Sequence, residues 1–358
     1  MTTTLSSQET RLLARQNSIT NTAGYSGNNL QANLLILPSK HSQDFHNLCL
    51  RNPVSCPLLG ISSIPGNPHK ITPSACIRNH HDFDIRTDCP SYRVYKHGKC
   101  IAANKPDLLD LWSTTTTTED NSSSSEGYTA FLIGCSFSFE SALCNTIPPL
   151  TPRHQLTNTI VPMYRTSLPL LPSGIFTNAT CIVSMRPYHE SDMQRVRDIT
   201  RPYLATHGEP VDWGWDAVKR LGIRDIHDPD FGDKVEIREG EVPVFWACGV
   251  TPQMAVEAAG DKIDGLVFAH EPGNMLVTDW AVEDLERLKG GIAAFQEYLN
   301  YTIRLSSRSA GTASGSGGLC TGRCISWGPS FRKLRMDFHS LREMYDRVEK
   351  PLISSRAM

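Results

Sequence analysis

Short apolar runs alternate with amphipathic and polar stretches along this chain. Tyr128–Gly134 (YTAFLIG) and Val242–Ala247 (VPVFWA) are continuous apolar runs, as expected of buried strands. Gln31–Leu37, Ile160–Arg165, Thr180–Met185 and Gly265–Ala269 read the same way, with Lys234–Ile237 and Asn274–Trp280 as further strand candidates. Tyr92–Tyr95 and Lys99–Ala102 flank His97-Gly98, which predicts a hairpin. Helical spacing is found at Gln8–Gln16, Ser42–Leu50, Pro106–Trp112, Glu190–Leu204 and Ala281–Arg304, and in charged form at Arg332–Lys350. Pro53–Pro68 and His207–Trp215 read as loops. Strands alternating with helices predict an α/β fold with a mixed or parallel sheet covered on both faces.

Two of these strands end alike. Val242–Ala247 stops at Cys248-Gly249, and Thr251-Pro252 can open a helix, with Thr251 as N-cap and Pro252 at the first helical position. Tyr128–Gly134 runs into Cys135-Ser136-Phe137-Ser138-Phe139-Glu140 on the same strand–turn–helix plan. Open α/β sheets bind ligands at the carboxyl ends of their strands. Arg186 and His270 also follow apolar runs, so parallel strands in one sheet would bring Cys135, Arg186, Cys248 and His270 to one rim.

Composition narrows the class. The chain has 358 residues, enough for a large core and two domains, and a net charge of −2 gives no case for nucleic acid or an anionic membrane as partner. No apolar run reaches the length of a membrane span. Met1–Thr20 lacks a signal-peptide core, which points to the cytoplasm. Its Ser/Thr content with Arg11 and Arg15 leaves a mitochondrial presequence, and hence the matrix, as the alternative. The 11 cysteines lack a framework spacing and read as reduced thiols. Cys320 and Cys324 have no second ligand pair nearby, and no His/Cys set has metal spacing. Ser113–Gly127 and Ser306–Gly318 are low in complexity and read as a surface insertion and a linker to a loosely attached tail.

At Gly134–Glu140 and Gly240–Gln253 the chain resembles the D-glutamate cyclase family, many of whose microbial members are called hydro-lyases. The resemblance continues through Gln31-Ala-Asn-Leu, Arg51-Asn-Pro, Asp84-Ile-Arg-Thr-Asp, Pro162-Met-Tyr-Arg-Thr166, Val183-Ser-Met-Arg-Pro187, His207-Gly, Gly232-Asp233 and His270-x-Pro-Gly273. These colinear blocks span roughly residues 10 to 280. The family more often has His where this chain has Asp212 and Asn274. The resemblance implies a three-layer α/β/α sandwich, here with a mixed sheet, plus a smaller α/β subdomain. That assigns 1–145 and 226–300 to the main domain, 146–225 to the subdomain and 305–358 to the tail.

The reaction implied is loss of water from D-glutamate to give 5-oxo-D-proline, or the same chemistry on a related small acidic amino or hydroxy acid. Ring closure needs a cation for the α-carboxylate, a base for the amine, an acid for the departing oxygen and donors for the oxyanion. Arg165 and Arg186 suit carboxylates, because a guanidinium fork matches them bidentately, although a structural salt bridge is an equal alternative for each. Glu140 and Glu241 become acids if burial raises them. Glu241 begins the strand that Cys248 ends, so it reads as structural. Cys135 and Cys248 are shuttle or nucleophile candidates, with a small buried hydrophobe as the bland alternative. Amides around Ser136, Gly249 and Thr251 are candidate oxyanion donors. His207 and His270 are acid–base candidates, His270 preferred because it ends a strand. Asp233 is a substrate contact or an Asx-turn residue. No cofactor is expected; a divalent metal held by Asp or Glu is left open, as is a homo-oligomer. Two other functions compete. One is an inactive carboxylate-binding protein, suggested by Asp212 and Asn274, and the other a thiol-dependent cyclic amide hydrolase, suggested by Cys135 and Cys248.

Overall fold

A computed structural model describes residues 5–25, 27–113 and 127–287. The low-complexity insertion (apart from its end residues), most of the Ala281–Arg304 helix, the Gly/Ser linker and the Arg332–Lys350 helix lie outside the described residues. The first elements are α1 (Ser7–Arg15), β1 (Asn29–Pro38), α2 (Ser42–Arg51), β2 (Leu58–Ser62), β3 (Ile71–Thr72), β4 (Tyr92–Lys96), β5 (Lys99–Lys105) and β6 (Tyr128–Gly134). Next come α3 (Glu140–Cys144), α4 (Arg153–Thr157), β7 (Met163–Pro169), β8 (Thr180–His189), α5 (Met193–Thr200), β9 (Asp212–Trp213) and α6 (Trp215–Arg220). The last are β10 (Glu241–Ala247), α7 (Thr251–Ala259), β11 (Leu266–His270), β12 (Leu276–Ala281) and α8 (Val282–Arg287).

The α/β class is as expected, but the strand directions are not. An eight-stranded sheet runs β3-β2-β6-β1-β11-β4-β5, with β12 also on β1, and a four-stranded sheet runs β7-β8-β10-β9. Every pairing among the described strands is antiparallel, so the mixed or parallel sheet expected from the pattern is replaced by two antiparallel ones. Strand–helix alternation does not fix direction when connections return along the same sheet. β10 pairs with β8 and β9, so the strands of segment 146–225 share their sheet with a strand from outside it.

β1 organises the larger sheet. Ala32–Pro38 pairs with β6 from Gly134 back to Tyr128. Its other edge is divided: β12 takes Asn29–Ala32 and β11 takes Leu35–Ile36, leaving a gap at Asn33 and Leu34. Both faces of β1 are buried, which is why it reads as an apolar run. Leu30, Ala32, Leu34 and Ile36 pack with Phe268, Trp246 and Trp280, whereas Leu35 and Leu37 pack with Phe45, Phe131 and Phe245. Both core clusters draw on both sheets, since β10 contributes Trp246 to one and Phe245 to the other.

Local chemistry sets several boundaries. α1 starts with a capping box in which Glu9 N donates to Ser6 Oγ at 3.2 Å and Ser6 N donates to Glu9 Oε2 at 2.7 Å. Arg11 ties that helix to β12 through Asp279 at 2.8 Å. α7 begins at Thr251, one residue earlier than expected, with Val250 in the cap position. Thr251 Oγ1 donates to Cys248 O at 2.7 Å and accepts Ile182 N–H at 3.0 Å, which pins α7 to β8. Pro106–Trp112 closes only a turn, Lys234–Ile237 forms no strand, β2 and β9 occur where loops were expected, and α6 follows where no element was expected.

Candidate active site

The site grows from two close approaches that only glycine permits. A Cβ on Gly249 would lie 1.8 Å from Asn33 Nδ2, so the turn leaving β10 presses directly on β1. A Cβ on Gly134 would lie 1.9 Å from Ala205 O, so the end of β6 presses on the loop before His207. Asn33 Nδ2 donates to Gly134 O at 3.0 Å. One buried asparagine, in the gap of β1, thus touches both strand ends that carry a Gly and a Cys.

Arg186 lies inside β8 rather than past its end, opposite Val244 of β10. It is fully buried, with its guanidinium 5.3 Å from the ring centroids of both Phe139 and Trp246. Nε and Nη2 donate to Glu140 Oε1 at 2.8 and 2.5 Å, Nη1 to Ser184 Oγ and Nη2 to Ser136 Oγ, both at 3.0 Å. The other Glu140 oxygen accepts from Gln155 at 2.5 Å and lies 3.3 Å from His154 Nε2. Burial opposes the charge of Glu140, but the Arg186 and His154 side chains outweigh it and hold the carboxyl down to about 2. Glu140 is therefore a fixed carboxylate, and the guanidinium that was to meet a substrate meets Glu140.

Cys135 is within electrostatic reach of Cys248, Glu140 and Arg186, and Cys248 within reach of Arg186. Burial pushes the Cys135 thiol up to about 12 and Cys248 up to about 11, although the Phe137 amide approaches the first sulfur and the Val250 and Gly249 amides the second. Both are thiols, not thiolates, at neutral pH. Cys248 also packs 3.5 Å from the sulfur of Met163 in an apolar cluster with Val161, Ile182 and Met254.

His207 sits in the left-handed region at φ +86°, and its Nδ1 lies 2.8 Å from Val54 O. That carbonyl can only accept, so Nδ1 carries the proton and Nε2 the free lone pair. Burial pushes His207 down to about 4, and Nε2 has no hydrogen-bond partner among the described residues. His270 ends β11 and fills the gap in β1, with Nδ1 3.1 Å from Leu34 N and 3.2 Å from Leu34 O. Burial pushes it, too, down to about 4, and its Nε2 is likewise unpartnered among the described residues.

The remaining expected residues scatter. Arg165 is half-exposed on β7, 3.0 Å from Glu257 and over the ring of Phe231. Glu241 pairs with Arg153 at the far end of β10 from Cys248, a structural role as expected. Asp212 pairs with Arg220 at 2.6 Å. Asp233 Oδ2 accepts Ile160 N–H at 2.8 Å and lines a cleft of about 240 Å³ together with Asn21, Ala23, Phe137, Asn158 and Gly273. Among the described residues no three His, Cys, Asp or Glu side chains are grouped to hold a metal ion. The sequence reading did not single out His154, which carries no strand or turn signal, nor Asn33, whose signal was a polar residue inside an apolar run.

The fold and site define an α/β protein with a buried carboxylate–guanidinium–thiol cluster beside a small cleft. The sequence profile described as D-glutamate cyclase matches residues 129–279. A Schizosaccharomyces pombe protein named "Putative hydro-lyase" is 46% identical over 76% of this chain and 83% of its own length. Proteins of the same name from Bordetella petrii and Geobacillus kaustophilus are 45% and 40% identical, over 87% and 97% of their lengths. The chain belongs to the D-glutamate cyclase family. Among its described residues no helix is long and apolar enough to cross a membrane.

Proposed function

We propose that this chain is a hydro-lyase that dehydrates D-glutamate to 5-oxo-D-proline. The observation that carries the reading is one of placement: the family-matched segment 129–279 contains Cys135, Glu140, Arg186, His207, Cys248 and His270. In the reaction the α-amino nitrogen bonds to the γ-carboxyl carbon and one carboxylate oxygen leaves. The ammonium gives up two protons, and both depart with that oxygen as water.

The residues divide the work. Holding the five-atom chain folded supplies the proximity contribution. His207 and His270, uncharged at neutral pH, are the bases that accept protons from the ammonium. Amides of Phe137, Gly249 and Val250, grouped around two neutral thiols, are the donors for the developing oxyanion. Arg165 is the cation for a substrate carboxylate, because exchanging an exposed ion-pair partner costs only about 0–1 kcal/mol. Arg186 positions Ser136 and Glu140 from behind. Protonated, deeply buried thiols do not support the cyclic amide hydrolase, since that chemistry needs a thiolate.

The test is to incubate the purified full chain with D-glutamate and, separately, L-glutamate, with and without divalent metal, and to follow 5-oxoproline by chiral chromatography. Product from the D isomer is expected. Absence of product under every condition rejects the reading.

A further inference from the structure

Two buried amide side chains are satisfied at only one end. Gln31 is 5% exposed, and its Nε2 donates to Thr22 O at 2.8 Å and Tyr25 O at 3.2 Å. Asn274 is 4% exposed, and its Nδ2 donates to Pro272 O at 3.2 Å. Each nitrogen faces carbonyl oxygens, so a flipped amide would set oxygen against oxygen and the orientation is fixed. Gln31 Oε1 and Asn274 Oδ1 then receive no hydrogen bond among the described residues. A buried acceptor without a donor is destabilising, and native proteins seldom keep two together without a use.

Thr22 links the two side chains to the edge of one cleft. Thr22 takes the Gln31 donor, gives its own N–H to Gly273 O at 3.0 Å and accepts Met275 N–H at 3.1 Å, and so brackets Asn274. Asn21 and Ala23, on either side of Thr22, line the cleft with Gly273 and Asp233. Asp233 is the charged residue of that lining, so the cleft favours a cation. Unfilled acceptors beside a negative charge call for a group rich in donors and without a lone pair.

We infer that Gln31 Oε1 and Asn274 Oδ1, together with Asp233, form a subsite for the ammonium group of an amino-acid substrate. The inference rests on the reading above and deepens it, because the subsite selects an amino acid over the corresponding hydroxy acid. It also suits ring closure. Two of the three acceptors are neutral amide oxygens, so the ammonium meets less opposing charge than in a cage of carboxylates and gives up its proton more readily.

Calorimetric binding of D-glutamate and of glutarate, which lacks the amine, tests the subsite in the full chain, with Asn274→Leu and Gln31→Leu beside it. D-glutamate binds the unaltered protein at least about tenfold more tightly than glutarate, as expected for lost hydrogen bonds to a charged group. Asn274→Leu weakens D-glutamate by about tenfold and leaves glutarate unchanged, which also shows that the variant is folded. Equal losses for both acids, or none, overturn the inference. Should the variants fail to fold, glutarate binding the unaltered protein as tightly as D-glutamate overturns it alone. Should neither acid bind, the D-glutamate reading fails, and the subsite is judged with methylammonium against tetramethylammonium, which has the same charge and no N–H. A larger rise in melting temperature with methylammonium, lost in Asn274→Leu, supports the subsite; equal rises overturn it.

Discussion

The Arg186–Glu140 cluster and the amides of Gln31 and Asn274 are both buried and polar, yet they are opposites in how far their bonding is satisfied. Arg186 places four hydrogen bonds on Glu140, Ser184 and Ser136, and Glu140 is completed by Gln155. Gln31 and Asn274 spend their nitrogens on backbone carbonyls and keep their oxygens free among the described residues. A saturated cluster has little left to offer a ligand and acts as framework. An unsaturated one carries a standing penalty that a ligand can relieve. Arg186 and Glu140 thus form the framework, and the unfilled capacity lies with the Gln31 and Asn274 oxygens and with Nε2 of His207 and His270.

That contrast can be broken in stages. The largest effect falls on the saturated side: Arg186→Leu leaves a buried carboxylate without its partner and costs ~3–5 kcal/mol, read from urea unfolding. Arg186→Met combined with Glu140→Leu should restore much of that stability; a loss equal to the single variant's would show that the framework role lies elsewhere.

A smaller effect belongs to the two neutral histidines. Their folded-state affinity for protons is depressed from 6.5 to about 4, so unfolding takes up protons between those values. Stability is complete above 6.5 and falls as the pH drops toward 4, by ~1.4 kcal/mol per pH unit for each histidine within that window. Glu140, held down to about 2 from 4.5, adds its loss only below 4.5. Urea titrations from pH 7 to 4 measure the slope, and His207→Asn, a residue that tolerates the left-handed backbone, should reduce it. An unchanged slope would mean that His207 is not buried as a neutral ring. The smallest effect is on the unsaturated side, where Asn274→Leu exchanges one donor bond and one orphan oxygen for apolar contact and should shift stability by no more than about 1 kcal/mol. A shift as large as that of Arg186→Leu would erase the distinction between the two clusters.

Much of the fold was legible because buried strands announce themselves as apolar runs, as β1, β6, β10 and β11 do. β8 was read too short: Arg186 and Pro187 look like terminators, but Glu140 neutralises the one and the strand carries the other. β2 was hidden among prolines and glycines, and α4 and α6, at five and six residues, are too short to show a period. The cluster at Cys135, Arg186 and Cys248 was anticipated for a reason that did not hold. Parallel strands do not bring them together; the junction of two antiparallel sheets at Asn33 does. The capacity of Gln31 and Asn274 was out of reach of sequence, since an amide oxygen is unfilled only by virtue of what its nitrogen has found.

The divided edge of β1 also sets the order in which the molecule can be assembled. Leu34 and the His270 ring that closes against it are 236 positions apart. As the chain leaves the ribosome, β1 can find β6 early, but its other edge stays open until β11 and β12 have been made. Pairings of such long separation close slowly, and an apolar strand with one bare edge invites intermolecular pairing meanwhile. A nascent chain therefore depends on shielding through most of its synthesis, and a product truncated before β11 keeps β1 as an adhesive edge without ever acquiring the pocket.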